Sequence, residues 1–127
     1  MKPAPSSIRE CNSSVFPPEV RHDNQPVVLL FLGVQCPASR SLEQVIDELA
    51  PTYLRRLSFV KVNAAKAPDL VQRYRIHHVP SLVVVHGESV LYLAMGVLPE
   101  RELEAIFSAV ARRSRDPVDS PSGSAVK

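Results

Sequence analysis

Gln35-Cys36-Pro37-Ala38-Ser39 joins an apolar run to a helical pattern, and this junction decides how the rest of the chain is read. Ahead of it, Val27 to Leu32 is unbroken Val, Leu and Phe, the composition of a strand buried on both faces, with Gly33 and Val34 closing the run. Behind it, Leu42, Val45, Ile46 and Leu49 recur at helical intervals within Ser39 to Arg55, where Pro51 is expected to disturb the helix near its end. A thiol on such a turn lies near the positive end of a helix, where free amide groups favour the thiolate.

The flanking segments extend the alternation. Leu57 to Val62 places Leu, Phe and Val on one side and Ser and Lys on the other, as a strand does. Pro68 to Tyr74 reads as a short helix, since Pro and Asp both suit a first turn. Ser81 to Val85 and Val90 to Met95 are two further strands. The glycine-containing link His86-Gly87-Glu88-Ser89 makes them an antiparallel hairpin. Glu100 to Arg113 closes the fold as a helix, with Pro99 at its start and Leu103, Ile106, Phe107 and Val110 facing inward. Ile8 to Cys11 is expected to form an edge strand, and Pro17 to His22 a brief helix.

The order β-α-β-α-β-α-β-β-α is that of an α/β protein with a mixed central sheet of four to five strands, flanked by helices on both faces. Residues 1–6 are expected to be a flexible tail, 7–113 one domain, and 114–127 a disordered tail with almost no apolar side chains to bury.

Composition narrows the function classes. The chain has 127 residues, enough for one domain. Its 15 Lys and Arg against 13 Asp and Glu are too balanced to point to nucleic acid or an acidic membrane. Arg112-Arg113-Ser114-Arg115 is the nearest thing to a basic patch, and cations are favoured at the end of a helix in any case. The longest apolar run is strand-sized, so no membrane span is expected. Two cysteines, Cys11 and Cys36, are too few for a disulfide scaffold, and the start of the chain has no apolar signal core, which points to a cytoplasmic, reducing setting. Cys11, on the expected edge strand, reads as a small buried hydrophobe.

The chain resembles the thioredoxin family. The residues that carry the likeness are the Val27 to Leu32 strand, Cys36-Pro37-Ala38-Ser39, Val79-Pro80 and Gly96; Pro80 and Gly96 follow Cys36 by 44 and 60 positions, without a gap. The resemblance implies a thioredoxin fold and a cis Val79–Pro80 bond lying against Cys36. It also implies a peptide groove formed by Gln35, Pro37, Val79, Pro80 and Gly96. Lys61 falls where the family often has a lysine beneath the site. His77 and His78 precede Val79, and a protonated imidazole there would lower the thiol pKa. A zinc or copper site built on them and Cys36 lacks an evident fourth ligand, so no metal is expected.

Three departures shape the chemistry. Ser39 stands where the family has its second cysteine, Gln35 replaces the usual aromatic, and Leu30 replaces a buried acid that serves the second thiol. The losses of thiol and acid agree with one another, as in a natural single-thiol protein. Cys36 can attack a disulfide, but the Ser39 hydroxyl cannot release the mixed disulfide. Ser39 is expected either to hydrogen-bond the thiolate or to cap the helix start. Turnover would then use an outside thiol such as glutathione, or a second thiol on the client; no other cofactor is expected. The partner is a client protein with a disulfide or an extended peptide segment, met by a monomer. The competing reading is a redox-inactive binding or chaperone-like adaptor that keeps only the groove.

Overall fold

The computed structural model describes residues 8–11 and 25–115. Five strands form one mixed sheet: β1 (Arg9–Cys11), β2 (Val27–Leu32), β3 (Ser58–Asn63), β4 (Ser81–His86) and β5 (Ser89–Met95). Their spatial order is β1-β3-β2-β4-β5. β3 runs parallel to both β1 and β2, whereas β4 is antiparallel to β2 and to β5. Among the described residues, three α-helices connect or follow them: α1 (Pro37–Tyr53), α2 (Pro68–Arg73) and α3 (Glu100–Arg115), with a 3₁₀ turn at Ala64–Lys66. The helix expected at Pro17 to His22 and the N-terminal tail lie outside the described residues.

Burial on both faces of β2 explains its uninterrupted apolar sequence. Val28 and Leu30 face one core with Leu42, Ile46 and Leu49 of α1 and Leu103, Phe107 and Val110 of α3. Val27, Leu29 and Phe31 face the other, with Leu70 of α2, Ile76 and the side chain of Cys11. Phe107 anchors the first core, its ring edge-on to Tyr53 at 5.6 Å and to Phe59 at 5.3 Å. Such edge-to-face pairs add to what burial alone contributes.

Several boundaries differ from the sequence reading, each for a local reason. Helix α1 begins at Pro37, two residues earlier than expected, because proline at a first helical position gives up an amide that has no partner there anyway. It continues past Pro51 to Tyr53. Proline costs one hydrogen bond to the carbonyl four residues back and a clash there. At one turn from the end the helix absorbs both. Helix α3 runs to Arg115, so residues 114 and 115 belong to the helix and not to a tail. The β4–β5 hairpin turns on Gly87 and Glu88 alone, because His86 still pairs with Ser89 and Gly87 takes a φ of 65°. Among the described residues, no helix is long and apolar enough to cross a membrane.

Candidate functional site

Cys36 stands at the N-cap of α1, in extended backbone with φ −121° and ψ 108°. Its side chain is partly exposed and makes no disulfide; Cys11 makes none either and is buried. Gln35, just before it, is forced into left-handed backbone at φ 54°. That conformation is unfavourable for a residue with a Cβ and is held by the tight exit from β2. Gln35 and Pro37 are both exposed on the lip of the turn.

Ser39 turns inward and is 2% exposed. Its Oγ accepts the N–H of Gly33 at 2.9 Å. With its lone pair so engaged, the hydroxyl proton is left to donate, and it goes to Cys36 Sγ. That bond is the first reason the Cys36 thiol is held below its ordinary pKa; the Ser39 backbone amide adds to it, slight burial opposes it, and the Ala38 amide assists. The Ser39 hydroxyl is thus shared between the Gly33 amide and the Cys36 sulfur. The Ser39 oxygen is engaged by Gly33, outside the helix.

The second wall of the site comes from the loop before β4. The Val79–Pro80 peptide bond is cis. Ser81 Oγ, fully buried, donates to the carbonyl of His78 at 2.6 Å and ties the loop to its strand. Gly96 donates its N–H to the Pro80 carbonyl at 2.7 Å, which brings the end of β5 alongside. Gly33 lies where the two walls meet. A Cβ there would fall 2.8 Å from Val79 Cγ2 and 3.5 Å from Cys36 Cβ. Cys36, Val79, Pro80 and Gly96, distant in the chain, are thus gathered at one end of the sheet.

Lys61 comes from β3, and the two histidines from the loop before Val79. Lys61 is the register partner of Leu30. Because Leu30 offers no charge, the ammonium reaches across to α1 and lies 2.9 Å from both Glu43 Oε2 and Asp47 Oδ1. Burial works against its charge, but those carboxylates outweigh it and the net shift of its pKa is upward. Lys61, Glu43 and Gly33 share the wall of a cleft of about 170 Å³ beside the turn. His77 and His78 are exposed. The bonds that lower the Cys36 thiol come from Ser39 and Ala38, not from Lys61 or either histidine. Among the described residues, no three His, Cys, Asp or Glu side chains are grouped so as to hold a metal ion.

Sequence reading passed over Gly33, Ser81 and the Glu43–Asp47 pair. A glycine ending an otherwise all-apolar buried strand was the available signal for Gly33. The spacing of four residues between two acids on α1 was the signal for the pair.

A profile of the thioredoxin family matches residues 7–109. The chain belongs to the thioredoxin family. Thiol–disulfide oxidoreductase chemistry is the activity which that membership supports. Thioredoxin 1 of Nostoc sp. is 29% identical over 98 residues, covering 77% of this chain and 92% of its own length. A thioredoxin of Pyropia yezoensis is 27% identical over 102 residues, covering 80% and 95% respectively. The crystal structure of the germline-specific thioredoxin Deadhead of Drosophila melanogaster shares the fold, with a TM-score of 0.65 and 23% identity, over 69% of this chain and 83% of that one.

Proposed function

We propose that this thioredoxin-family protein is a monothiol exchange catalyst in a reducing, cytoplasmic compartment, acting through Cys36 on client proteins. The observation that carries the proposal is the Ser39 hydroxyl, bonded to the Gly33 amide on one side and to the Cys36 sulfur on the other. The Cys36 thiolate attacks one sulfur of a client disulfide. The client S–S bond breaks, its other sulfur leaves as a thiolate, and a Cys36–client mixed disulfide forms. Glutathione, or a second client thiol, then attacks the client sulfur of that bond and expels Cys36 as a thiolate. A low pKa makes a thiol a better leaving group, so the same Ser39 bond that favours the attack also favours release. Cys11 is no substitute for the missing thiol: it is 5% exposed within the core below the sheet.

Val79, Pro80 and Gly96 supply backbone beside Cys36 for an extended client segment, and Gln35 and Pro37 form the opposite lip. The exposed side chains of Val34 and Val97, 64% and 49% accessible, give the rim an apolar character suited to an unfolded peptide. That rim also favours the adaptor reading, in which the groove binds without exchange.

The test is reduction of a protein disulfide with and without glutathione. The protein alone should release at most one thiolate per Cys36 and stall as a mixed disulfide; with glutathione it should turn over, and Cys36→Ser should abolish both. Turnover without an added thiol would refute the mechanism. Peptide binding retained by an exchange-inactive wild type would install the adaptor reading in its place.

A further inference from the structure

The two edges of the sheet are built in opposite ways. β1, at one edge, is three residues long and presents the exposed acid Glu10. Short, charged edges resist pairing with other strands. β5, at the other, is seven residues long, Ser89-Val90-Leu91-Tyr92-Leu93-Ala94-Met95, without a charge, a proline or a glycine. Val90, Tyr92, Leu93 and Met95 are 51%, 40%, 44% and 40% exposed. Among the described residues, no strand lies beyond it.

The ladder shows which backbone groups of β5 are open. Gly96 donates to Pro80, and the register continues with Ala94 opposite Leu82 and Tyr92 opposite Val84. By the alternation of an antiparallel ladder, Tyr92, Ala94 and Gly96 turn their N–H and C=O groups toward β4, while Leu93 and Met95 turn theirs outward. The irregularity between Val84 and Val85 leaves Leu91 without a register partner, and the regular stretch runs from Tyr92 to Met95.

We infer that β5 pairs antiparallel with β5 of a second copy of this chain, joining two five-stranded sheets into one, in place of the monomer expected above. The two-fold axis passes beside Leu93. Leu93 of each copy then faces the other in a hydrogen-bonded pair, with Tyr92 opposite Ala94 on either side of it. A second copy is favoured over other strands because this segment is its own complement: equal in length, apolar against apolar, with no like charges opposed. The β5 end at Gly96 lies beside the Val79–Pro80 wall, so the two Cys36 sites fall at opposite ends of the joined sheet. One strand pair buries less than the roughly 800 Å² per partner of a standard stable interface, so the dimer dissociates on dilution.

Sedimentation of the full chain over a concentration series tests the inference. The mass should rise toward twice that of the monomer with concentration, and Leu93→Lys, which sets two ammonium groups against each other, should hold it at one. In a Cys36→Ser background, Leu93→Cys should form a reducible dimer under mild oxidation, since Cα atoms of a hydrogen-bonded pair are about 5.5 Å apart, within disulfide reach. Val90→Cys, which has no copy of itself opposite, should not. A monomer at every concentration, a dimer indifferent to Leu93→Lys, or uptake of an unrelated peptide on β5 by a monomeric protein would each overturn it.

Discussion

Ser39, buried in the first turn of α1, lowers the pKa of the Cys36 thiol. Its buried oxygen is fixed by the Gly33 amide at 2.9 Å, and hydrogen bonding from its side chain is the first cause of the lowered Cys36 pKa. The last position of the turn thus carries a hydroxyl that is shared between the Gly33 amide and the Cys36 sulfur.

Ser39→Ala should therefore raise the pH at which Cys36 becomes nucleophilic. The hydrogen bond lowers the thiol pKa, so removing it moves the midpoint of pH-dependent alkylation upward, toward the ordinary value of about 8.5. Alkylation at neutral pH should slow accordingly. An unchanged midpoint would show that the helix start alone sets the thiol.

Ser39→Cys should restore a resolving thiol. Position 39 is one helical turn from Cys36 and buried beside it, so oxidation should join the introduced thiol to Cys36 in an internal disulfide, visible by mass spectrometry after alkylation. Disulfide reduction should then lose its dependence on added glutathione for the release step.

Gly33→Ala should destabilise the protein and disturb the groove. The new methyl would meet Val79 Cγ2 at 2.8 Å, closer than carbon atoms pack. Overpacking of this kind costs about 1–3 kcal/mol. Val79→Ala in the same chain should recover much of the loss, and a double-mutant cycle in urea measures that coupling.

Lys61→Ala should cost about 1 kcal/mol, the upper range for a partly exposed ion pair, because it leaves Glu43 and Asp47 facing each other one turn apart on α1. The pH dependence has a definite sign. The folded pKa of Lys61 lies above its unfolded value of about 10.4, so its contribution is complete below that pH and fades as pH rises through the folded pKa. Wild type and variant should thus differ in urea midpoint at neutral pH and converge in strong base.

Much of the fold was legible in the chain. Val27 to Leu32 is apolar at every position because both faces of β2 are covered, and Leu42, Ile46 and Leu49 fall on one stripe of α1 because that stripe meets the sheet. Helix ends were less legible, since Pro37 and Pro51 are read as breaks until their distance from a terminus is known. Cys36, Ser39, Val79, Pro80 and Gly96 could be named from motif spacing. The partner of Lys61 could not be, because it lies on a helix 18 residues earlier in the sequence.

What the sequence by itself determined was the content of the turn. Cys36-Pro37-Ala38-Ser39 carries one sulfur and one hydroxyl, whatever surrounds it. What only the tertiary structure decided was how that hydroxyl is used. The Ser39 oxygen takes the Gly33 amide, which the end of β2 brings beside the first turn of α1. The same approach leaves Gly33 between Cys36 and Val79 with no room for a side chain. Hydrogen-bond choice and close packing depend on atoms that meet only after folding, and residue order alone does not carry them.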